Sequence, residues 1–469
     1  MQKTPCYRDL VMLPRLAAPL LAAFALAGCA HEPTPDVAMP TPGAFDRHLV
    51  GDWPSRDWYR EFGSAELDEL VQLAVEGNTD LGAARARIVQ ADARARQAGA
   101  ALLPSVDANG TANYLAGHSS QGSGHELDWS AMLSASYEVD FWGKNRSSAE
   151  AARLEANAAR AERDTIEITT LSGLANAYFQ LLGLRERVAI AQANRDSAEK
   201  LLAAVQARFD AGATGAVELA SQKSVLDSAQ IALADLEQAE SDALYAISTL
   251  LGRSPEGFTV RSTTLEGLSE PRVGAGLPSE LLARRPDVSQ AEKNLAAAHA
   301  NLEAARAALL PTLSLTASGG VQNPALPATV LTIPGAGPSF ALGANLVQPI
   351  FNHGRLAAER DAARARQNEL IFNYRSAIVA ALTDVENALS AQEHLAKSER
   401  FQSENLASSQ RAFDGAKLRY EAGSGDYLTL LEAQRAFYAA RDQWVQYRLA
   451  RFKAAVGLCK ALGGGWTNT

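Results

Sequence analysis

The side chains able to do chemistry are scattered rather than assembled. The seven histidines, His31, His48, His118, His125, His299, His353 and His394, form no His-Glu-x-x-His pair and no tight ligand cluster. Two close histidines on a helix face, backed by a glutamate, would be needed to hold zinc and activate water. His118 and His125 share a span that reads as a loop, where polar surface is the simpler explanation. Ser197-Ala198-Glu199-Lys200 has the spacing of a serine nucleophile with a lysine base, but its partner motifs are absent. No phosphate-binding loop and no dinucleotide glycine pattern occurs. The three cysteines, Cys6, Cys29 and Cys459, are too few and too far apart for a disulfide framework or a zinc site. The residues thus predict no enzyme, no metal centre and no cofactor.

One cysteine has a chemical setting of its own. Lys3, Arg8 and Arg15 begin the chain with positive charge, and an apolar run over 16–27 follows. That run is too short to span a bilayer as a helix and reads as an export signal over 1–28. It ends in Leu26-Ala27-Gly28-Cys29, small residues suited to cleavage followed by a thiol. This resembles the bacterial lipobox, in which Cys29 becomes the lipidated first residue. The alternative is an ordinary signal peptide with an incidental cysteine. Residues 29–63 carry Pro33, Pro35, Pro40, Pro42 and Pro54, an extended tether from that anchor.

The rest of the chain must be an unusual scaffold. Its 469 residues include 91 alanines and carry a formal net charge of -9, with 21% charged and 7% aromatic residues. This composition points to long helices and away from disorder. The acidic balance, with no basic stripe, excludes a nucleic-acid binder.

The chain then repeats itself. Ala100-Ala101-Leu102-Leu103-Pro104 returns as Ala307-Ala308-Leu309-Leu310-Pro311, and Arg208-Phe209-Asp210-Ala211-Gly212 as Arg419-Tyr420-Glu421-Ala422-Gly423. Phe141-Trp142-Gly143-Lys144 has a counterpart in Phe351-Asn352-His353-Gly354-Arg355. Three matches in the same order predict duplication: a first repeat over 64–252, a linker over 253–278, a second repeat over 279–460 and a tail over 461–469. Each repeat reads as helix, strand, strand, helix, with a glycine turn and a returning helix. The first helices span 64–102 and 279–309, the long ones 145–210 and 355–421, the returning ones 217–251 and 427–456.

The strands read as 104–114, 129–140, 311–321 and 338–350. In 129–140 one face carries Trp129, Ala131, Leu133, Ala135, Tyr137 and Val139, the other Ser130, Met132, Ser134, Ser136, Glu138 and Asp140. Strict alternation over about ten residues suits a tilted strand crossing a bilayer, with a small and mostly uncharged face toward water. A half-buried soluble sheet is the alternative. Four strands cannot close a barrel, and an open edge in lipid strands its backbone groups. Two chains would give about eight strands and a nearly filled interior; three would give about twelve and an open pore. An oligomer is required, and a trimer favoured. In the long helices Leu171, Leu174, Tyr178, Leu181, Leu184 and Val188 step by three or four, as do Ile371, Tyr374, Ile378, Leu382, Val385 and Leu389, which builds coiled-coil seams. A helix of about 66 residues would be roughly 100 Å long.

These pieces together resemble the outer membrane factor family, the TolC-like exit ducts, and most of all its NodT- or OprM-like lipoprotein branch. Cys29, the duplicated plan, Asp140-Phe141-Trp142-Gly143, Arg419-Tyr420-Glu421-Ala422-Gly423 and the run from Tyr427 to Gln434 carry the resemblance. It implies a mainly α fold with a small β part. The duplicated plan would form a trimeric twelve-stranded outer membrane β-barrel, continued by a long α-helical barrel in the periplasm. The duct would conduct passively, with energy from an inner-membrane transporter and a periplasmic adaptor. Ala30 after Cys29, rather than aspartate, implies the outer membrane of a Gram-negative cell. By position, the adaptor-docking tips fall at Gly212 and Gly423, and the closed gate at Tyr420 and Glu432, with Asp426 as a further candidate. Relatives often carry aspartate where this chain has Glu432. The competing reading is a lipid-anchored periplasmic coiled-coil scaffold without a pore, which leaves the alternating strands unexplained.

Overall fold

The computed structural model describes residues 42–47, 51–119, 122–274, 276, 278–327 and 337–465. The export signal, Cys29 and the start of the tether lie outside the described residues. The described residues form eight α-helices: α1 Ala65–Gly77, α2 Thr79–Ala100, α3 Lys144–Asp210, α4 Ala216–Leu250, α5 Pro278–Arg284, α6 Pro286–Ala307, α7 Arg355–Glu421 and α8 Tyr427–Ala461. Four strands accompany them: β1 Ser105–Ser119, β2 Gly122–Val139, β3 Thr312–Pro327 and β4 Gly337–Val347. The long helices start and stop where the sequence places them, because capping residues and turn glycines mark their ends. Asp140 caps α3, its carboxylate accepting the Asn145 and Arg146 N–H groups at 3.0 and 2.8 Å.

The first helix of each repeat departs from the single helix expected. In repeat one the chain breaks at Asn78, whose backbone is extended at φ -64°, ψ 128°. Its side chain explains the break. Oδ1 accepts the N–H groups of Asp80 and Leu81 at 3.0 Å, which starts α2, and Nδ2 donates to the Leu250 carbonyl at 2.8 Å. In repeat two the break falls at Arg285, directly before Pro286, whose ring disfavours helical backbone in the preceding residue. Two different residue types produce one break at matching positions.

The strands run further than expected. β1 continues beyond 114 to Ser119, β2 starts at Gly122 rather than near 129, and β3 continues to Pro327. The Gly- and Ser-rich stretch has weak strand preference of its own, but each strand supplies the other's ladder: Ala116 pairs with His125 and Ser119 with Gly122. The sheet is antiparallel throughout, in the order β1-β2-β3-β4. The central β2–β3 pairing, with Ala131 opposite Val321, joins the two repeats.

The chain divides into two compact units. One contains the sheet, with Val89–Ala158 and Glu292–Asn373. The other contains Met39–Ile88, Ala159–Ala291 and Tyr374–Thr469. In this second unit a large core gathers Trp58, Phe62, Leu174, Phe179, Ile247, Val385 and Phe452. Phe62 and Phe179 meet at 4.8 Å between ring centroids. The linker between repeats is pinned to this core by arginines. Arg185 donates to the Val260 carbonyl at 2.8 Å, Arg448 to the Leu265 carbonyl at 3.0 Å, and Arg451 pairs with Glu270 and Glu399. The tether is held too: Phe45 is buried, and the Asp46 N–H donates to Glu386 at 2.7 Å.

Candidate functional site

The sheet presents two unlike faces. Register places Asp107, Asn109 and Thr111 of β1 opposite Ser134, Met132 and Ser130 of β2. Cross-strand hydrogen bonds tie this face together: Asn109 Nδ2 donates to Ser134 Oγ at 2.8 Å, and the Thr111 and Ser130 hydroxyls meet at 2.8 Å. The polar row continues over Thr316 and Ser318 of β3, opposite Gly343 and Ala341 of β4. The other face carries Val106, Leu133, Leu315, Phe340, Leu342 and Leu346, all exposed, with Phe340 at 75% and Leu342 at 73%. A contiguous apolar sheet face left bare in one chain calls for a nonaqueous or protein cover. No helix among the described residues is long and apolar enough to cross a membrane. β1 and β4 pair with one neighbour each, so both edges offer free backbone groups.

At the base of the sheet, Trp142 Nε1 donates to the Pro311 carbonyl at 2.8 Å, linking landmarks of the two repeats. Phe141 and Phe351, which match in the duplication, are both exposed at the ends of their strands.

The turns that close the long helices are near copies. Gly212 sits at φ 69° and Gly423 at φ 73°, left-handed values that glycine adopts without strain. Nothing crowds either α-carbon, so the backbone conformation, not space, explains the residue. Around them lies a second, smaller core with Leu201, Val205, Phe413, Tyr420, Tyr427 and Leu430. Tyr420 is 3% exposed. Its ring lies 6.0 Å from that of Tyr427 and 4.6 Å below the Arg208 guanidinium, and Arg208 also donates to the Tyr420 carbonyl at 3.0 Å. The Tyr427 hydroxyl donates to Gln222 Oε1 at 3.1 Å, and Gln222, itself fully buried, donates to the Ala198 carbonyl at 3.3 Å. The Tyr420 hydroxyl is buried with no hydrogen-bond partner among the described residues. Burial pushes both phenols up, Tyr427 to about 12, so both stay protonated at neutral pH.

The sequence-predicted residues therefore separate. Tyr420 is an interior residue of the smaller core. Asp426 is exposed and caps α8, Oδ1 accepting the Thr429 N–H at 2.8 Å and Oδ2 the Thr429 hydroxyl at 2.7 Å. Those bonds hold its carboxyl below the usual carboxylate range. Glu432 is exposed six residues further along α8. The structure adds Arg208, Gln222 and Tyr427 to the constellation. A signal for Arg208 existed in the duplication, since it matches Arg419. Nothing in the spacing pointed to Gln222.

A family model described as outer membrane efflux protein matches residues 70–253 and 277–464. The pyoverdine export outer membrane protein OpmQ of Pseudomonas aeruginosa is 44% identical over 460 residues, covering 95% of this chain and 96% of that protein. The cation efflux system protein CusC of Escherichia coli O6:H1 is 30% identical, covering 97% of this chain and 100% of that protein. Among solved structures, the outer-membrane channel OprN superposes with a TM-score of 0.84 at 25% identity, over 92% of this chain and 99% of that one. The chain belongs to the outer membrane efflux protein family: it is a non-enzymatic outer membrane channel of a Gram-negative tripartite efflux system, reaching into the periplasm and working with an adaptor and an inner-membrane pump.

Proposed function

We propose that three copies of this chain close their sheets into one twelve-stranded barrel and continue it as a helical duct. The observation that carries this reading is the four-stranded sheet with two unpaired edges and one bare apolar face. In lipid each unpaired backbone group costs several kcal/mol, so β4 of one copy must pair with β1 of the next. The hydroxyl- and amide-lined face then turns to the water-filled lumen. Lipid on Cys29 anchors each copy in the outer membrane, and the tether leads from it to the core of the second unit.

The tips at Gly212 and Gly423 receive the adaptor, and the inner end closes at rest. Asp426 and Glu432, both exposed, supply one carboxylate each per copy to a ring that attracts cations. Tyr420 serves the gate from inside its own protomer, by holding the tip core together. The cargo includes pyoverdine-type metabolites, a reading supported by two relatives named for pyoverdine export at 44% and 39% identity.

The test is planar-bilayer conductance of the purified lipidated protein, with its mass in detergent. A trimeric mass and discrete channels, mostly closed at rest, are expected. A monomer without conductance would overturn the proposal. Asp426→Asn with Glu432→Gln should reduce cation preference in a salt gradient, and an unchanged reversal potential would remove both residues from the gate.

A further inference from the structure

An extended tether is expected over 29–63, yet its described residues are fastened to the second unit at two places. The first is α7. Phe45 is 4% exposed and belongs to the large core, the Asp46 N–H donates to Glu386 at 2.7 Å, and Arg47 pairs with Glu393 at 3.2 Å. The second lies over 51–56, where the chain passes between the linker and the segment that follows α8.

On the linker side, Asp52 and Val273 form an isolated parallel bridge, and the Gly274 N–H donates to the Asp52 carbonyl at 2.9 Å. The two backbones touch. A β-carbon on Gly51 would lie 2.5 Å from the Arg272 carbonyl oxygen, and one on Gly274 would overlap the Gly51 carbonyl oxygen. The Trp53 ring lies 4.7 Å from the Arg284 guanidinium of α5, and a β-carbon on Gly276 would lie 2.6 Å from that ring. On the opposite side stands Gly465, where a β-carbon would overlap the backbone of Ser55 and Arg56. The segment carrying Gly465 is itself fixed. Leu462 is fully buried, Arg285 donates to the Ala461 carbonyl at 3.0 Å, and the Gly464 N–H reaches the Cys459 carbonyl at 2.8 Å. Past this slot the chain enters the large core at Trp58, which is 1% exposed.

The slot holds by close backbone contact rather than by apolar burial, since Gly51, Asp52, Ser55 and Arg56 are exposed. Dispersion falls steeply once a gap of about an ångström opens, so such a grip is either closed or lost. It can be lost locally while the core beneath it stays folded. Its position matters because it lies between an anchor and a core. The longer the span between a lipid and the core it anchors, the lower the effective concentration of one anchored core at the next.

We propose that 45–47 and 51–56 are the two grips of a strap that fastens the lipid anchor to the core, and that Gly51, Gly274, Gly276 and Gly465 are glycines because the strap fills the slot between them. This rests on the reading of Cys29 as lipidated. The strap shortens the free span behind the anchor, and so favours the meeting of copies whose sheets must pair. It also joins the two repeats, since the Phe45 grip is on α7 while Arg56 pairs with Glu167 of α3 at 3.5 Å.

The experiment is hydrogen exchange of the full lipidated protein and its variants in detergent, read peptide by peptide. Gly465→Val drives a side chain into the backbone of Ser55, and peptides over 51–58 should then exchange at least about tenfold faster. Peptides over 174–179, in the large core, should keep their wild-type rates. Trp53→Ala opens the same slot by removing a side chain rather than adding one, and should act in the same direction. Gly43→Val, whose β-carbon meets open space, should change nothing. In cells, Phe45→Ala with Gly465→Val releases both grips, and should lower the share of protein recovered as membrane-inserted oligomer at least about twofold, with uptake of labelled palmitate unchanged. Wild-type exchange over 51–58 in both Gly465→Val and Trp53→Ala would overturn the strap alone. So would core peptides that speed up as much as those of the strap, or a full oligomer yield in the double variant. Wild-type protein that takes up no palmitate would overturn the anchor reading, and the strap's role with it.

Discussion

Arg208-Phe209-Asp210-Ala211-Gly212 and Arg419-Tyr420-Glu421-Ala422-Gly423 occupy the same place in the two repeats and end their helices with the same bonds. The Gly212 and Gly423 N–H groups reach the Phe209 and Tyr420 carbonyls at 2.9 and 3.0 Å. The next N–H groups, of Ala213 and Ser424, reach the Arg208 and Arg419 carbonyls at 2.8 and 2.9 Å. The side chains part company. Tyr420 is 3% exposed and Phe209 is 37% exposed. Arg208 lies over the Tyr420 ring, while Arg419 points to solvent. The two turns share a backbone, and the neighbouring helices assign one to the core and the other to the surface. Aromatic character at the matching position does not distinguish them.

The largest effect should come from removing the buried member of the pair. Tyr420→Ala takes the ring from between Tyr427 and Arg208, and should cost about 3–5 kcal/mol of local stability. Hydrogen exchange of peptides from the tip would read it. Phe209→Ala in the same assay should stay within about 0.5 kcal/mol. Equal losses would mean that the two turns are energetically alike after all. Gln222→Leu comes next. It strands the Tyr427 hydroxyl in an apolar core and should cost about 1–3 kcal/mol at the tip, with no counterpart on the Phe209 side. Gly212→Ala and Gly423→Ala sharpen the comparison from the backbone side. Each forces alanine into left-handed backbone, so each should cost about 1–2 kcal/mol, and by the same amount. Unequal losses would show that side-chain packing reaches the turn glycines.

The smallest effect depends on pH. Asp426 caps α8, whereas its counterpart before α4 is Gly215, which has no side chain to offer. Because Thr429 holds the Asp426 carboxyl below its unfolded value, the cap contributes fully above about pH 4. It is lost as pH falls through the lowered folded value. The stability difference between wild type and Asp426→Ala should therefore be constant near neutrality and shrink in acid. A difference that persists undiminished at the acid end would assign it to something other than the carboxylate.

Much of the fold was legible because its signals are local. Period-two alternation exposed the strands, and the turn glycines marked the long helices to within a residue or two. The break at Asn78 was not legible, since it depends on a carbonyl at Leu250 that only the folded chain brings near. The outer parts of β1 and β2 were hidden by their glycines and serines, which pair because the partner strand is there. The candidate gate was legible as a set of positions and not as an arrangement. Tyr420, Asp426 and Glu432 lie close in sequence, yet one is an interior ring, one a helix cap and one an exposed carboxylate.

By itself the sequence determined the long helices, the two-faced strands and the shared order of elements in the two halves. Each of these follows from periodicity or from recurring motifs, and neither requires knowing which elements touch. The tertiary structure alone decided that the apolar interior is split into two cores, that Gln222 and Arg208 belong to the tip, and that Tyr420 faces inward while Phe209 does not. Those outcomes depend on which helix face meets which neighbour, and a repeat with the same pattern in both halves carries no information about that choice.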